Sequence, residues 1–284
     1  MHILVPHFIL DRFAAQEAEQ GVLQAAAIFV DASGFTAATE ALMLHGQHGA
    51  EVMANLMTDI FAPLVESVYA QGGFVAGFAG DAFTALFPIA SDGDEAAVTE
   101  RCVAAAQAIQ TYMQQHGEYE TVYGTFFFSV KVGVALGEAQ WGILSGQETA
   151  GRTYYFRGTA VDRCAAAEHH ANGGDLIMAR EMMTMMGEGL VVETLSETEQ
   201  FVRLMEVTRP LPAVQTVQLR EPVRELAAAF HSPDLLDWEL RGEFRQVLIM
   251  FVSLDEINTH EQLVVFMQTV FQLQGQYGGF FNRI

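Results

Sequence analysis

Residues 72–88, GGFVAGFAGDAFTALFP, decide the fold prediction for this chain of 284 residues. The paired glycines Gly72 and Gly73 mark where the segment begins, and apolar residues follow on both sides of Gly80-Asp81. A Gly-Asp pair between two apolar runs is typical of a tight hairpin turn. The segment therefore predicts two antiparallel strands, with Asp81 in the turn that joins them.

The segments on either side of this hairpin complete an α+β core. Residues 24–31, QAAAIFVD, form an apolar run that ends in Asp31 and predicts a buried strand. A long helical stretch follows to about residue 71. Beyond the hairpin, the pattern predicts an amphipathic helix over 94–116 and a strand over 124–137. This order, βαββαβ, predicts a ferredoxin-like core. The predicted additions are a helix at 7–20, a hairpin at 141–156, a helix at 161–171, a strand at 175–179 and a strand pair at 190–207.

Composition divides the chain into four segments. We predict an N-terminal helical segment (1–23), the α+β domain (24–207), a linker (208–242) and the start of a second, similar domain (243–284). Four of the seven prolines fall in the linker.

The second domain is predicted from a weak internal repeat. The run RQVLIMFVSL, residues 245–254, predicts a buried strand, and a helical stretch leads from it to Gly278-Gly279. Phe251-Val252 then corresponds to Phe29-Val30. Because the sequence stops inside the hairpin of this second unit, we expect that domain to be truncated.

The amino-acid composition and the net charge restrict the kinds of molecule that the protein can bind. The chain is 51% hydrophobic and 17% charged, with a net charge of −21, which argues against disorder and against binding to nucleic acid or anionic membranes. No apolar run is long enough to span a bilayer, and no basic leader precedes a cleavage site. These features predict a cytoplasmic protein. Cys102 and Cys164 are predicted to be packed free thiols.

Two carboxylates are predicted at strand ends. In a βαββ arrangement the first strand neighbours the hairpin, so Asp31 and Asp81 can meet in space. With no neutralising Lys or Arg predicted beside them, the two carboxylates suit a pair of magnesium ions. The alternative is structural, because Asp is common in turns and as a helix cap.

A candidate phosphate site follows Asp31. Ala32, Ser33, Gly34, Phe35 and Thr36 lie between a strand and a helix, where backbone N–H groups can cradle a phosphate. The alternative is a Ser-capped helix start with a packed Phe35.

Lys131 is the only lysine in the sequence and lies in an apolar strand pattern. It is predicted either to extend from a strand end or to enter a cleft and reach the same phosphates.

These residues resemble a known family. FVDASGFT at 29–36 with FAGDAF at 78–83 is similar to the two metal-site motifs of class III adenylyl and guanylyl cyclases, and residues 153–171 resemble a later helix of that domain. The resemblance covers 24–207, resumes at 244–284, and is nearest to tandem-domain adenylyl cyclases of the bicarbonate-regulated type.

The resemblance implies a function. Asp31 and Asp81 would be the catalytic residues that hold two Mg²⁺ ions, with Mn²⁺ as a substitute, and ATP would be converted to cyclic AMP and pyrophosphate, with GTP as the alternative substrate. Residues 32–36, Gly80 and Lys131 would contact the nucleotide.

The sequence also departs from the family pattern. The late helix has Asp162 and Ala166 where a complete site has Asn and Arg, so the resemblance implies a complementary cyclase domain in the same or another chain, including a homodimer. Gly77 and Ala165 replace the basic residues of bicarbonate-responsive relatives. Two alternatives stay open: a regulatory pseudo-cyclase that binds nucleotide, and a diguanylate cyclase.

Overall fold

The computed structural model describes residues 5–16, 18–91, 93–146, 151–213, 224–231, 243–279 and 281. Within these residues the main sheet has eight strands in the order β2-β3-β1-β6-β8-β10-β9, with β7 paired to β6, and β4 and β5 form a separate two-stranded sheet. The strands are β1 (Gln20–Ser33), β2 (Phe74–Ala79), β3 (Ala82–Ile89), β4 (Glu118–Thr121), β5 (Gly124–Phe127), β6 (Ser129–Ser145), β7 (Arg152–Arg157), β8 (Leu176–Ala179), β9 (Leu190–Thr194) and β10 (Phe201–Val207).

The helices of the described residues overlap the predicted helical segments, except for two short ones at 182–186 and 224–227, and the first helix ends at residue 15 instead of 20. They are α1 (His7–Ala15), α2 (Phe35–Met43), α3 (Gly46–Tyr69), α4 (Glu95–His116), α5 (Thr159–Glu168), α6 (Met182–Met186), α7 (Arg224–Ala227) and α8 (His260–Tyr277). Asp94 caps α4 by accepting a hydrogen bond from the Ala97 backbone N–H at 3.2 Å, the usual role of Asp at this position. No helix of the described residues has the length and apolar character needed to cross a membrane.

The predicted ferredoxin-like core is confirmed. The order β1, α2–α3, β2, β3, α4, β6 is βαββαβ, and its four strands lie in the order β2-β3-β1-β6 with antiparallel pairing throughout. β1 lies between β3 and β6, and residues 25–28 are fully buried. Because this strand is central and apolar on both faces, it organises the core.

Three elements differ from their predictions. β1 begins at Gln20, four residues earlier than predicted, because its paired partner β6 extends to Ser145. The long helical stretch is two helices, and Gly46, with φ +57°, begins the second. The predicted strand at 124–137 is divided between β5 and β6, which begins at Ser129, and β4, which lacks an apolar run, was not predicted.

The predicted buried strand at residues 245–254 is wrong. These residues form no strand in the structure, and most of their apolar side chains are exposed: Leu248 is fully exposed and Phe251 is 92% exposed, while Leu254 is partly buried. An apolar run becomes a buried strand only when neighbouring strands accept its backbone hydrogen bonds, and no described strand pairs with it. The start of a second domain stays a prediction.

The C-terminal helix packs on the outer end of β6 and on β7. Leu263, Met267 and Phe271 of α8 form an apolar cluster with Leu144 and Tyr155. Thr259 and Gln262 build a reciprocal capping box that fixes the first turn of this helix.

The two cysteines are buried and free, as predicted. Burial raises the pKa of the Cys102 thiol well above its ordinary value. Neither cysteine therefore supplies a thiolate. Met178, Met182 and Met186 are also buried and belong to the main core.

Candidate functional site

Strand register brings the predicted site residues together. Asp31, near the end of β1, lies opposite Ala82 of β3 on one side and Lys131 of β6 on the other. The backbone N–H of Ala32 donates to the backbone carbonyl of Asp81 at 3.0 Å. Asp31, Asp81 and Lys131 therefore share one corner of the sheet.

The turn that carries Asp81 has the predicted tight geometry. Gly80 has φ +63°, and Asp81 is not among the residues with positive φ. A glycine with positive φ at the first central position is the pattern of a type II′ hairpin turn. Gly80 is exposed and Asp81 is half-buried, so this carboxylate is accessible at the corner.

The loop after Asp31 packs Phe35 into the core and leads into the first turn of the helix α2. Phe35 is buried and its ring lies 4.8 Å from Phe128 and 5.6 Å from Phe61, between centroids. The N-cap of α2 is Gly34 rather than Ser33, and no side chain caps the helix. The packed Phe35 of the structural alternative is confirmed, and its Ser cap is wrong.

The backbone donors of this loop are not equivalent. The Ala32 N–H is already bonded to Asp81, and Ser33 is paired with Ser129 of β6. The first N–H groups of α2, from Gly34 to the exposed Thr36, have no partner within the helix because no preceding turn exists. These groups, and not the Ala32 N–H, are the ones that remain for a phosphate.

Replacing Gly34 by Ala is expected to damage this loop. The new Cβ would lie 2.3 Å from the Phe127 carbonyl oxygen, and the residue would keep φ +113°. Such backbone strain costs about 1–3 kcal/mol, and the clash adds to it. Chemical denaturation measures the loss. Gly46→Ala is the matched control, because Gly46 has φ +57° but no atom within 4 Å of the added Cβ. Equal losses for the two variants would contradict the clash.

Lys131 is paired to two carboxylates. Its Nζ lies 2.7 Å from Asp31 Oδ2 and 2.5 Å from Glu168 Oε1. Burial acts to lower the pKa of Lys131, but the hydrogen bonds and negative charges of Asp31 and Glu168 outweigh burial and raise it. The prediction that no cation neutralises the aspartates is wrong, because register places the lysine directly opposite Asp31.

Glu168 is the site residue that the sequence did not reveal. It lies at the end of α5 and is only 3% exposed. Its neighbour His170 packs its ring against Phe201. A signal was available: Glu168 follows Cys164 by one helical turn, so it had to lie on the apolar face of α5.

The donor set fits magnesium. Within the described residues no group of three or more His, Cys, Asp or Glu could hold a metal ion without help. Mg²⁺, however, is commonly bound by one or two carboxylates together with phosphates of the substrate and water. Asp31, whose side chain is 28% exposed, and Asp81 supply such a pair of carboxylates next to a helix N-terminus.

The late helix lacks the side chains of a complete site. Asp162 is exposed in the first turn of α5, and Ala166 is half-buried against the core. Neither position of this helix carries an amide or a guanidinium group.

Known proteins resemble this chain in sequence and in fold. No family model matches the chain. The rat protein named adenylate cyclase type 10 is 31% identical over 157 residues, which are 54% of this chain and 9% of that protein. The chain thus spans less than a tenth of the length of that relative.

Solved structures agree with the sequence match. The adenylyl cyclase CyaB from P. aeruginosa has a TM-score of 0.53 at 16% identity, covering 69% of this chain and 100% of that chain. The guanylate cyclase domain of RhGC from Catenaria anguillulae, solved in complex with GTP, has a TM-score of 0.51 at 15% identity, covering 68% and 100%. The fold is therefore that of class III cyclases. The sequence match and the shared fold support the resemblance to class III nucleotide cyclases that the motifs indicate.

Proposed function

We propose that this domain supplies the metal- and phosphate-binding half of a nucleotide cyclase site that converts ATP to cyclic AMP and pyrophosphate. The observation that carries the proposal is the strand register, which sets Asp31 beside both the Asp81 turn and Lys131. ATP is preferred over GTP in the proposal because the curated relative is named an adenylate cyclase.

Each residue has a role in this proposal. Asp31 and Asp81 hold two Mg²⁺ ions, or Mn²⁺ in their place; such ions activate a ribose hydroxyl and neutralise the charge that develops on the phosphates. The Gly34, Phe35 and Thr36 N–H groups orient the triphosphate at the start of α2. Gly80 holds the turn so that Asp81 faces the corner.

Lys131 has to leave an ion-pair partner before it can contact the nucleotide. In the structure its ammonium is bonded to Asp31 and Glu168, so it reaches a phosphate only when the Asp31 pair opens. Lys131 lies opposite Asp31, four residues before the start of α2, and this position supports a role in neutralising the triphosphate. The Ala32 backbone contributes indirectly, by joining β1 to the Asp81 turn.

The remaining part of the site comes from a second cyclase domain. Because α5 offers Asp162 and Ala166 where catalytic Asn and Arg are expected, this domain does not serve as its own partner. The complementary domain belongs to the same chain or to another copy. Arginine side chains that stabilise phosphoryl transition states contribute about 10³–10⁵ in rate, so the unassisted domain turns over slowly.

One observation favours a second candidate function. The ammonium of Lys131 is bonded to Asp31, the carboxylate that would otherwise bind a metal ion. This arrangement is expected of a pseudo-cyclase that binds nucleotide and regulates a partner without turnover. Metal binding to Asp31 separates the two functions, since a pseudo-cyclase of this kind keeps the ion pair closed.

Product analysis tests the proposal. The full chain is incubated with ATP or GTP and Mg²⁺ or Mn²⁺, with and without a separately expressed complementary cyclase domain, and the products are separated by chromatography. We expect cyclic AMP to form slowly without the complementary domain and about 10³-fold faster with it.

Other products distinguish the alternatives. A cyclic dinucleotide from GTP would show a diguanylate cyclase. Nucleotide binding with no cyclic product in either mixture would favour the pseudo-cyclase. Full activity of the unassisted chain would contradict the proposed division of the site.

A further inference from the structure

Glu168 is a buried carboxylate whose ion-pair partner is Lys131. It is 3% exposed, and its Oε1 lies 2.5 Å from Lys131 Nζ. A buried carboxylate is costly unless it is paired with a cation. The sheet accommodates it because Gly133 has no side chain, and a Cβ there would lie 2.4 Å from the Glu168 backbone nitrogen. The packing of α5 on β6 thus positions Glu168 over Lys131.

The ammonium of Lys131 lies where a metal ion would bind. It is 2.7 Å from Asp31 Oδ2, a distance at which a divalent cation on the same oxygen would meet a like charge. Repulsion between like charges at contact distance is large when the site is partly removed from water. A metal ion therefore binds Asp31 only if the ammonium moves away from that oxygen.

We propose that Glu168 is a positioning residue that retains the Lys131 ammonium when a divalent cation takes Asp31. The inference rests on the proposed function, in which Asp31 is a metal ligand. Lys131 bridges the two carboxylates in the metal-free site, and the cation displaces it from one of them only. Because Glu168 is the more buried carboxylate, it keeps its cation, and the lysine stays at the corner where the triphosphate binds.

Removing the Glu168 charge is the direct test. In Glu168→Gln the lysine has Asp31 as its remaining carboxylate, so it competes more strongly with the metal ion. We expect the dissociation constant for Mn²⁺, measured on the full chain by electron paramagnetic resonance of the free ion, to rise about tenfold or more, in the range found for residues that support metal ligands. Glu66→Gln, at an exposed position of α3, is the matched control and should leave Mn²⁺ binding unchanged.

Making Glu168→Gln in a protein that already carries Lys131→Met shows whether Glu168 acts through the lysine. Lys131→Met should tighten Mn²⁺ binding, and Lys131→Met with Glu168→Gln should bind Mn²⁺ as Lys131→Met does. The double variant removes both buried charges, so it is expected to fold even if Lys131→Met is unstable. Thermal unfolding of every variant confirms folding.

Failure of this inference is distinct from failure of the proposed function. Suppose that Asp31→Asn abolishes Mn²⁺ binding. The role of Glu168 is then overturned, and the metal site stands, if Glu168→Gln leaves Mn²⁺ binding unchanged or if Glu168→Gln weakens it equally with and without Lys131. If Asp31→Asn leaves Mn²⁺ binding unchanged, the metal assignment fails and this inference fails with it.

Discussion

Asp31→Asn is expected to lower the rate of cyclic AMP formation by about 10³-fold or more in the full chain supplied with a complementary cyclase domain. Such a loss corresponds to about 4 kcal/mol of transition-state stabilisation. The amide of Asn is neutral, so it neither balances the charge of a divalent cation nor replaces a carboxylate oxygen as a hard ligand. Asn nevertheless keeps the size of the side chain and the position of β1 opposite Ala82 and Lys131.

Initial rates at saturating ATP and Mg²⁺ measure this effect. Asp81→Asn should cause a loss of similar size, since the second carboxylate holds the same pair of ions in the proposal. Asp59→Asn is the matched control, because Asp59 is an exposed residue of α3. Activity of Asp31→Asn within tenfold of the unchanged chain would rule out Asp31 as a metal ligand.

The positions of the two aspartates could be predicted from sequence because they depend on local patterns. The apolar run before Asp31 and the Gly80-Asp81 turn each define a strand end, and βαββ topology then makes those ends neighbours. The apolar pattern around Lys131 likewise placed this residue in a strand. It did not give the register of β6 against β1, which sets Lys131 opposite Asp31, because register depends on the pairing along the whole strand.

The parts that the sequence did not predict depend on tertiary contacts. Glu168 is buried only because α5 approaches β6 closely over Gly133. The exposed run at 245–254 shows the opposite case, since its apolar pattern is that of a strand but no described strand pairs with it. Periodicity indicates which face of an element is apolar, and the partner that covers that face comes from elsewhere in the fold.

The close approach of α5 to β6 links the stability of the domain to its site. Gly133 of β6 faces the end of α5 and Gly137 faces its start, and an added Cβ at either would contact the helix backbone. This face of β6 also carries Lys131, two residues from Gly133. Any displacement of α5 therefore moves Glu168 relative to the ammonium that it holds.

Gly133→Ala is expected to destabilise the domain by on the order of 3 kcal/mol, the upper part of the range for overpacked cores. The added Cβ would lie 2.1 Å from the Cys164 carbonyl oxygen and 2.4 Å from the Glu168 nitrogen. Both are backbone atoms, so α5 has to shift as a unit. Differential scanning calorimetry should show a melting temperature lower by roughly 6–12 °C for a domain of this size.

The matched control for this substitution is Gly275→Ala. Gly275 lies within α8 and has no atom within 4 Å of the added Cβ, so Ala should be neutral or stabilise by up to about 1 kcal/mol through its higher helix propensity. Because the displaced α5 carries Glu168, Gly133→Ala should also weaken Mn²⁺ binding, whereas Gly275→Ala should not. If Gly133→Ala has the same melting temperature as the unchanged chain, α5 does not lie as close to β6 as it does in the structure. The support of Lys131 by Glu168 would then lose its structural basis.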